Sequence, residues 1–322
     1  MSDPLIVVTR KWPEPVEAEL QARYRSARLN ADDVPLGHDR LRRALETADV
    51  VLPTVSDRLP ADLFTGPLRT RFLGNFGVGY NHIDIDAAAR AGIVVTNTPG
   101  VLTDTTADTA MTLLLMIARR AGEGERELRA GRWTGWRPTH MMGAEVTGKT
   151  LGVLGMGRIG AAVARRASLG FGMPVVFYDP ADQIPDHGVR GASRLDTIEQ
   201  VLAASDFVSL HMPGGGDNYH LIGAPRLACM KPTAFLVNSA RGDIIDQQAL
   251  IAALRVGTIA GAALDVYEDE PEVPAELREL DNVVLLPHLG SATLETRTAM
   301  GMLVLENLRA FIAGEDPPCR VA

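Results

Sequence analysis

The sequence predicts an α/β chain built as two domains with parallel sheets, the chain crossing between them twice. Three observations predict it. Short β-branched runs bounded by breakers alternate with helical stretches, once before about residue 100 and again after about residue 150. The chain has 322 residues, more than one hydrophobic core usually organises. A last helical stretch follows the final strand of the second series with no strand after it, so it is expected to return to the first domain.

In the first series the strands are "LIVVT" (5–9), "DVVL" (49–52), "RFLGN" (71–75) and "IVVTN" (93–97). Helical stretches such as "PVEAELQARYRSA" and "DIDAAARAG" lie between them. One long helical region is expected from about Thr103 to Gly131. The second series then runs "TLGVLG" (150–155), "PVVFYD" (174–179), "DFVSLH" (206–211), "AFLVNS" (234–239), "AGAALDV" (260–266) and "NVVLLP" (282–287). The tail from 291 carries apolar residues at helical spacing up to Gly314. The expected domains are residues 1–100 with 291–322, and residues 101–290. The crossings fall near 99–102 and 287–292, where His288 would lie at a hinge beside an interdomain cleft.

An apolar content of 46% with 22% charged residues is ordinary for a folded protein. A net charge of −8 argues against a nucleic-acid surface, which would want a basic face. Cys229 and Cys319 form no CxxC pair, so a reduced, cytoplasmic protein without a metal site is expected. No secretory signal is evident at the N-terminus, and "AMTLLLMIA" (110–118) is too short to span a membrane.

"TLGVLGMGRIGAAVARRA" places Gly155, Gly157 and Gly160 in GxGxxG spacing, after a strand and at the opening of a helix. The first glycine permits a tight turn, the second lets a pyrophosphate approach, and the third lets helix and strand pack closely. The helix starting near Arg158 and Ile159 aims its amides and positive dipole end at the phosphates. Asp179, nineteen residues after Gly160, ends the next strand where an acid accepts the ribose hydroxyls. A carboxylate there repels a 2′-phosphate, and "PADQIPDHG" after it holds no basic residue. NAD is therefore expected, with NADP the lesser alternative because Arg158 is near.

Parallel sheets bind ligands beyond the carboxyl ends of their strands. Those ends carry Gly155, Asp179, His211 with Met212 and Pro213, Ser239-Ala240-Arg241, Asp265 and His288. Beside a nicotinamide, reduction of a 2-oxo acid needs a cation for the carboxylate and a proton donor for the carbonyl oxygen. Arg241 offers a planar fork for the first, and Gly242 after it leaves room. For the second, histidine is the side-chain type suited to proton transfer near neutral pH, which makes His288 the candidate, and Glu270 in "DEPE" would favour an imidazolium. Each residue alone reads as packing or surface; their convergence on one sheet edge points to chemistry.

Four ordered segments resemble the D-isomer-specific 2-hydroxyacid dehydrogenases over almost the whole chain. They are "GVGYNHIDIDAAARAGI" (77–93), "GKTLGVLGMGRIG" (148–160), "NSARGDIIDQQALIAAL" (238–254) and "LDVYEDEP…LPHLGSAT" (264–293). The resemblance implies two Rossmann-like or flavodoxin-like domains. It makes Arg241 the substrate anchor, His288 the acid/base and Glu270 its partner. It places Asp265, Ser239, Ala240, Thr106 and Gly290 about the nicotinamide, and the amides of Val78 and Gly79 on the substrate carboxylate. The loop "HMPGGGDNYHLI" (211–222) departs from the pattern, with three glycines replacing a leucine-threonine pair and Asn218 replacing a hydroxyl residue.

"RWTGWRP" (132–138) resembles the glyoxylate/hydroxypyruvate reductase and phosphite dehydrogenase branches, but the latter carry lysine where this chain has Val78. The resemblance implies NADH-dependent reduction of glyoxylate or hydroxypyruvate by a homodimer. A neighbouring subunit would add "PTHMMG" (138–143), His140 to Met142, to the pocket, unless those residues only pack a dimer. A bulkier 2-oxo acid, 3-phosphoglycerate, or a dinucleotide-sensing corepressor-like binding role are the alternatives.

Overall fold

The computed structural model describes residues 3–182, 184 and 188–322. Part of the stretch after Asp179 on which the NAD expectation leaned, residues 183 and 185–187, lies outside the described residues. The chain forms two compact units, one running to Leu102 and resuming at Ala292–Ala322, the other Thr103–Ser291.

The first unit starts with β1 (Ile6–Val8), α1 (Glu14–Arg23), α2 (His38–Thr47), β2 (Val50–Leu52), β3 (Phe72–Gly74), α3 (Ile85–Arg90) and β4 (Val94–Thr96). Its four strands are parallel in the order β1-β2-β3-β4. A further parallel bridge, Val7↔Arg28, flanks β1. The period of two along each strand divides the core. Val51, Leu73 and Val95 join one buried cluster, and Val50, Leu52 and Phe72 the other. Leu41, Ala44 and Leu45 bury one face of α2, a helix that the charged "HDRLRRALET" disguises in sequence.

The second unit holds α4 (Thr103–Ala118), α5 (Ala121–Arg129), β5 (Leu151–Leu154), α6 (Arg158–Phe171), β6 (Val175–Tyr178), β7 (Ser193–Arg194), α7 (Ile198–Ala204) and β8 (Phe207–Leu210). It continues with α8 (Ala224–Leu227), β9 (Phe235–Asn238), α9 (Gln247–Val256), β10 (Gly261–Leu264), α10 (Ala275–Arg278) and β11 (Val283–Leu285). All seven strands are parallel, in the order β11-β10-β9-β8-β5-β6-β7. The order reverses at β5, so the ends of β5 and β8 form the switch point where such sheets bind dinucleotides.

The single helical region expected over 103–131 is corrected to two helices. Arg120 adopts φ 51° and ends the run, and no residue of α5 is buried. α4 instead buries Ala107, Ala110, Met111, Leu113, Leu114, Ile117 and Ala118. The final helix, α11 (Leu294–Ala313), starts at a Thr293 cap and stops at Gly314, φ 77°. Its Val304, Leu305 and Leu308 pack with Ile6, Val8 and Phe72 of the first unit. The C-terminal tail then covers the β4 edge: Val95 donates to Ala322 O at 3.0 Å and Val321 to Val95 O at 2.8 Å.

Candidate active site

Gly155 leaves β5 at φ 92°, and a Cβ there would sit 2.9 Å from the His211 carbonyl carbon. A Cβ on Gly160 would lie 2.1 Å from Gly155 O, so strand and helix approach as only glycine permits. Gly157, the residue preceding α6, has open space around it. Arg158, Ile159 and Gly160 form the first turn of this 14-residue helix, whose free amides suit a pyrophosphate. Asp179 ties this loop to the next strand: its carboxylate accepts from Met156 N at 2.8 Å and Ala181 N at 2.9 Å. Sequence reasoning missed Arg194, whose Nη2 donates to Asp179 O at 2.6 Å and Ala181 O at 2.8 Å. It sits on β7, a two-residue edge strand with no apolar run to reveal it.

His211 follows β8. Burial pushes its imidazole down to about 4, so the ring is neutral, 2.8 Å from Ser209 Oγ. Met212 packs against the core, while Asn218 donates to Pro213 O at 3.0 Å and closes the glycine loop on itself. The glycines have a structural reason. A Cβ on Gly214 would lie 2.3 Å from Asp243 Oδ1. Asp243 Oδ2 accepts from Gly215 N at 2.8 Å, and its Oδ1 is buried without a partner among the described residues.

Buried Asn238, at the end of β9, shapes the turn that carries Arg241. Its Oδ1 accepts from Ala240 N at 3.0 Å and its Nδ2 donates to Arg241 O at 2.8 Å. Ser239 is buried in the same turn, its Oγ unpartnered among the described residues. Arg241 donates to Ala240 O at 2.6 Å. Burial lowers its pKa while the charges of Glu270 and Asp243 offset this, and the guanidinium stays cationic. The expectation that Gly242 leaves room is corrected. A Cβ there would meet the Tyr267 carbonyl carbon at 1.8 Å, so the missing side chain is filled by the Tyr267–Glu268 backbone.

Glu270 bridges this turn to the histidine. Its Oε1 accepts from Tyr267 N at 3.0 Å, and its Oε2 accepts from His288 Nδ1 at 2.8 Å. Burial pushes the Glu270 carboxyl up, but His288, the Tyr267 amide and Arg241 together hold it below the usual glutamate range. His288 adopts φ 54°, an uncommon conformation for a residue with a Cβ. Asp265 holds that backbone in place: His288 N donates to Asp265 O at 2.9 Å. Leu289 N and Gly290 N donate to the two Asp265 carboxylate oxygens at 2.7 and 2.8 Å. Burial raises the Asp265 pKa despite those amides. Thr106, buried on α4, lies beside Gly290.

The second unit thus brings Arg241, Glu270, His288, Asp265 and Gly290 together through one set of strand-end turns, with Thr106 of α4 beside Gly290 and the glycine loop at the neighbouring switch point. Val78 and Gly79 belong to the first unit, after β3. Among the described residues no group of three or more His, Cys, Asp or Glu is placed to hold a metal ion. No helix is long and apolar enough to cross a membrane, among the described residues.

A parallel sheet with a glycine loop at its switch point, and a histidine–carboxylate pair near a half-buried arginine, defines a nicotinamide-dinucleotide oxidoreductase. The family model for the D-isomer-specific 2-hydroxyacid dehydrogenase NAD-binding domain matches residues 111–290. The chain is 44% identical to a glyoxylate reductase of Korarchaeum cryptofilum over 98% of this chain and 95% of that one. It is 43% identical to a glyoxylate reductase of Thermococcus litoralis, over 98% and 96%. A solved structure of an NADPH-dependent glyoxylate/hydroxypyruvate reductase from Sinorhizobium meliloti, in complex with NADP and malonate, superposes with a TM-score of 0.86. Identity to it is 35%, covering 100% of this chain and 97% of that one. The chain belongs to the D-isomer-specific 2-hydroxyacid dehydrogenase family, and is an oxidoreductase acting on the CH–OH group of hydroxy acids.

Proposed function

We propose that this protein reduces glyoxylate or hydroxypyruvate with NADH. The observation that carries this reading is the His288–Glu270 pair at 2.8 Å, on the same sheet edge as Arg241. The names of the relatives support the substrate class. The Gly155–Gly160 loop and the α6 amides fit a pyrophosphate, and Asp179 fits the adenosine ribose. Thr106, Ser239, Ala240, Asp265 and Gly290 are proposed to face the nicotinamide, with Met212, Pro213 and Asn218 on the loop beside it. Bound there, the dinucleotide supplies the hydride.

The chain's own residues do the rest. Arg241 is proposed to grip the oxo acid and to polarise its carbonyl, which a guanidinium partly withdrawn from water does better than a fully exposed one. With Nδ1–H donated to Glu270, the free Nε2 of His288 is the atom that gives its proton to the carbonyl oxygen. The ionised Glu270 stabilises the imidazolium before transfer and orients the ring. The amides of Val78 and Gly79 are proposed to receive the substrate carboxylate.

NADH is preferred in this reading because the Asp179 carboxylate repels a 2′-phosphate. The Sinorhizobium relative uses NADPH, so preference is a property to measure. A homodimer is proposed on exposed apolar side chains that cluster in the sequence between residues 128 and 142. Leu128, Trp133, Trp136 and Met142 are 61%, 52%, 81% and 68% exposed. His140 in that segment is 3.1 Å from Glu127. A cytoplasmic location is proposed on the two free cysteines.

Absorbance assays with glyoxylate, hydroxypyruvate, pyruvate and a bulky 2-oxo acid, each with NADH and NADPH, test the reading. Fast turnover of glyoxylate and hydroxypyruvate with NADH is expected. Preference for the bulky acid would overturn the substrate assignment, and preference for NADPH would overturn the role of Asp179. Tight NADH binding with no turnover would favour a binding protein.

A further inference from the structure

In the first unit, the loop after β3 has four successive carbonyls satisfied by its own unit. Gly77 O accepts from Thr98 N at 3.1 Å and from Asn75 Nδ2 at 3.0 Å. Val78 O accepts from Asn97 Nδ2 at 2.8 Å, and Gly79 O from Asn75 Nδ2 at 3.0 Å. Tyr80 O accepts from Ile83 N at 3.0 Å. Asn75 is fully buried and Asn97 nearly so. The amide of Asn75 has one workable orientation: its NH2 serves two carbonyls, so its Oδ1 accepts from His82 Nε2 at 3.1 Å. Gly77 lets the loop lie this close, since a Cβ there would sit 2.6 Å from Val55 Cγ1.

In a trans peptide the carbonyl and the following N–H point in opposite directions. Holding the carbonyls of Gly77, Val78 and Gly79 therefore turns the N–H groups of Val78, Gly79 and Tyr80 the other way. Those three amides have no acceptor among the described residues. Val78 and Gly79 are half-buried and Tyr80 is exposed, so the amides stand at the surface of the unit.

We infer that Asn75 and Asn97 are positioning residues that hold three successive peptide planes as a preformed cradle for the substrate carboxylate, with the Tyr80 amide as a third donor. This rests on the reading that the Val78–Gly79 loop takes that carboxylate. An amide already aimed at its anion does not have to be reoriented on binding, and a free loop would spend part of each new hydrogen bond on ordering itself. His82 contributes by fixing which way the Asn75 amide faces.

The test uses the full chain with Asn75→Ala, Asn97→Ala and Gly79→Pro. It reads KM for glyoxylate, kcat, the inhibition constant of oxalate as an unreactive carboxylate, and the NADH dissociation constant. Each asparagine variant is expected to raise KM and the oxalate constant roughly tenfold while NADH affinity stays unchanged. Asn75→Asp, equal in size but without the two donors, is expected to match the alanine variant, and Asn97→Gln to recover part of the loss. Unchanged KM and oxalate inhibition in both folded alanine variants would overturn the inference, as would an equal loss of NADH affinity, which marks a merely structural role. If Asn75→Ala does not fold, Asn97→Ala, which releases only the Val78 carbonyl, decides the matter. Gly79→Pro removes one donor outright. If it binds oxalate normally, the carboxylate reading and the cradle both fall; if it loses oxalate while the asparagine variants do not, only the cradle falls.

Discussion

At the scale of single residues, burial and hydrogen bonding determine what each titratable group does. Neutral His211 is the clearest case. Its folded pKa, about 4, lies below the unfolded value near 6.5, so the unfolded chain takes up a proton first as pH falls. Its stabilisation is complete above about pH 6.5 and is lost towards about pH 4, by at most about 3 kcal/mol. Urea titrations between pH 7.5 and 4.5 are expected to show a smaller loss in His211→Asn than in the parent chain. Equal slopes would mean that the ring is not buried neutral. Glu270, with a depressed pKa, likewise stabilises above the unfolded glutamate value and loses that contribution as pH falls through its folded value. Glu270→Gln keeps the shape but removes the charge, and is expected to lower kcat about tenfold to a hundredfold with little change in NADH affinity. That the ionisable candidates gather at one sheet edge was legible in the sequence, because most of them stand directly after buried apolar runs. Asn75, Asn97, Asp243 and Arg194 were not legible. Each acts on main-chain carbonyls or amides of turns, and nothing in residue type or spacing announces that geometry.

At the scale of elements, the ten strands read from apolar runs all form, because buried β-branched stretches between breakers have few other uses. The two-residue β7 was missed because Ser193 and Arg194 are exposed, so no buried apolar run marks a strand that pairs with β6. The break between α4 and α5 was missed because Arg120 carries no mark of a left-handed residue. The glycine loop that departs from the family pattern is explained by its neighbour: Gly214 leaves the space that Asp243 occupies. Gly214→Ala is expected to destabilise the chain by about 1–3 kcal/mol, measured by urea unfolding. In Asp243→Gly the same substitution should cost less, although a Cβ there still meets Arg241 Cβ at 2.9 Å. Additive effects of the two changes would show that they do not share that space.

At the scale of the whole molecule, the fold class and the family agree with the sequence reading, and the exposed tryptophans bear on assembly. Trp136, the most exposed of the cluster, is expected to lie in the proposed dimer interface. Sedimentation of Trp136→Glu should shift from dimer to monomer, while a monomeric parent chain would remove the proposal. That His288, hydrogen-bonded to Glu270, supplies the proton for reduction of a small 2-oxo acid is tested by one measurement. It is the rate of NADH oxidation by glyoxylate in His288→Ala, with NADH binding followed in parallel by fluorescence. A loss on the order of a hundredfold to ten-thousandfold in kcat is expected, with NADH affinity retained. Near-normal turnover in that variant would contradict it.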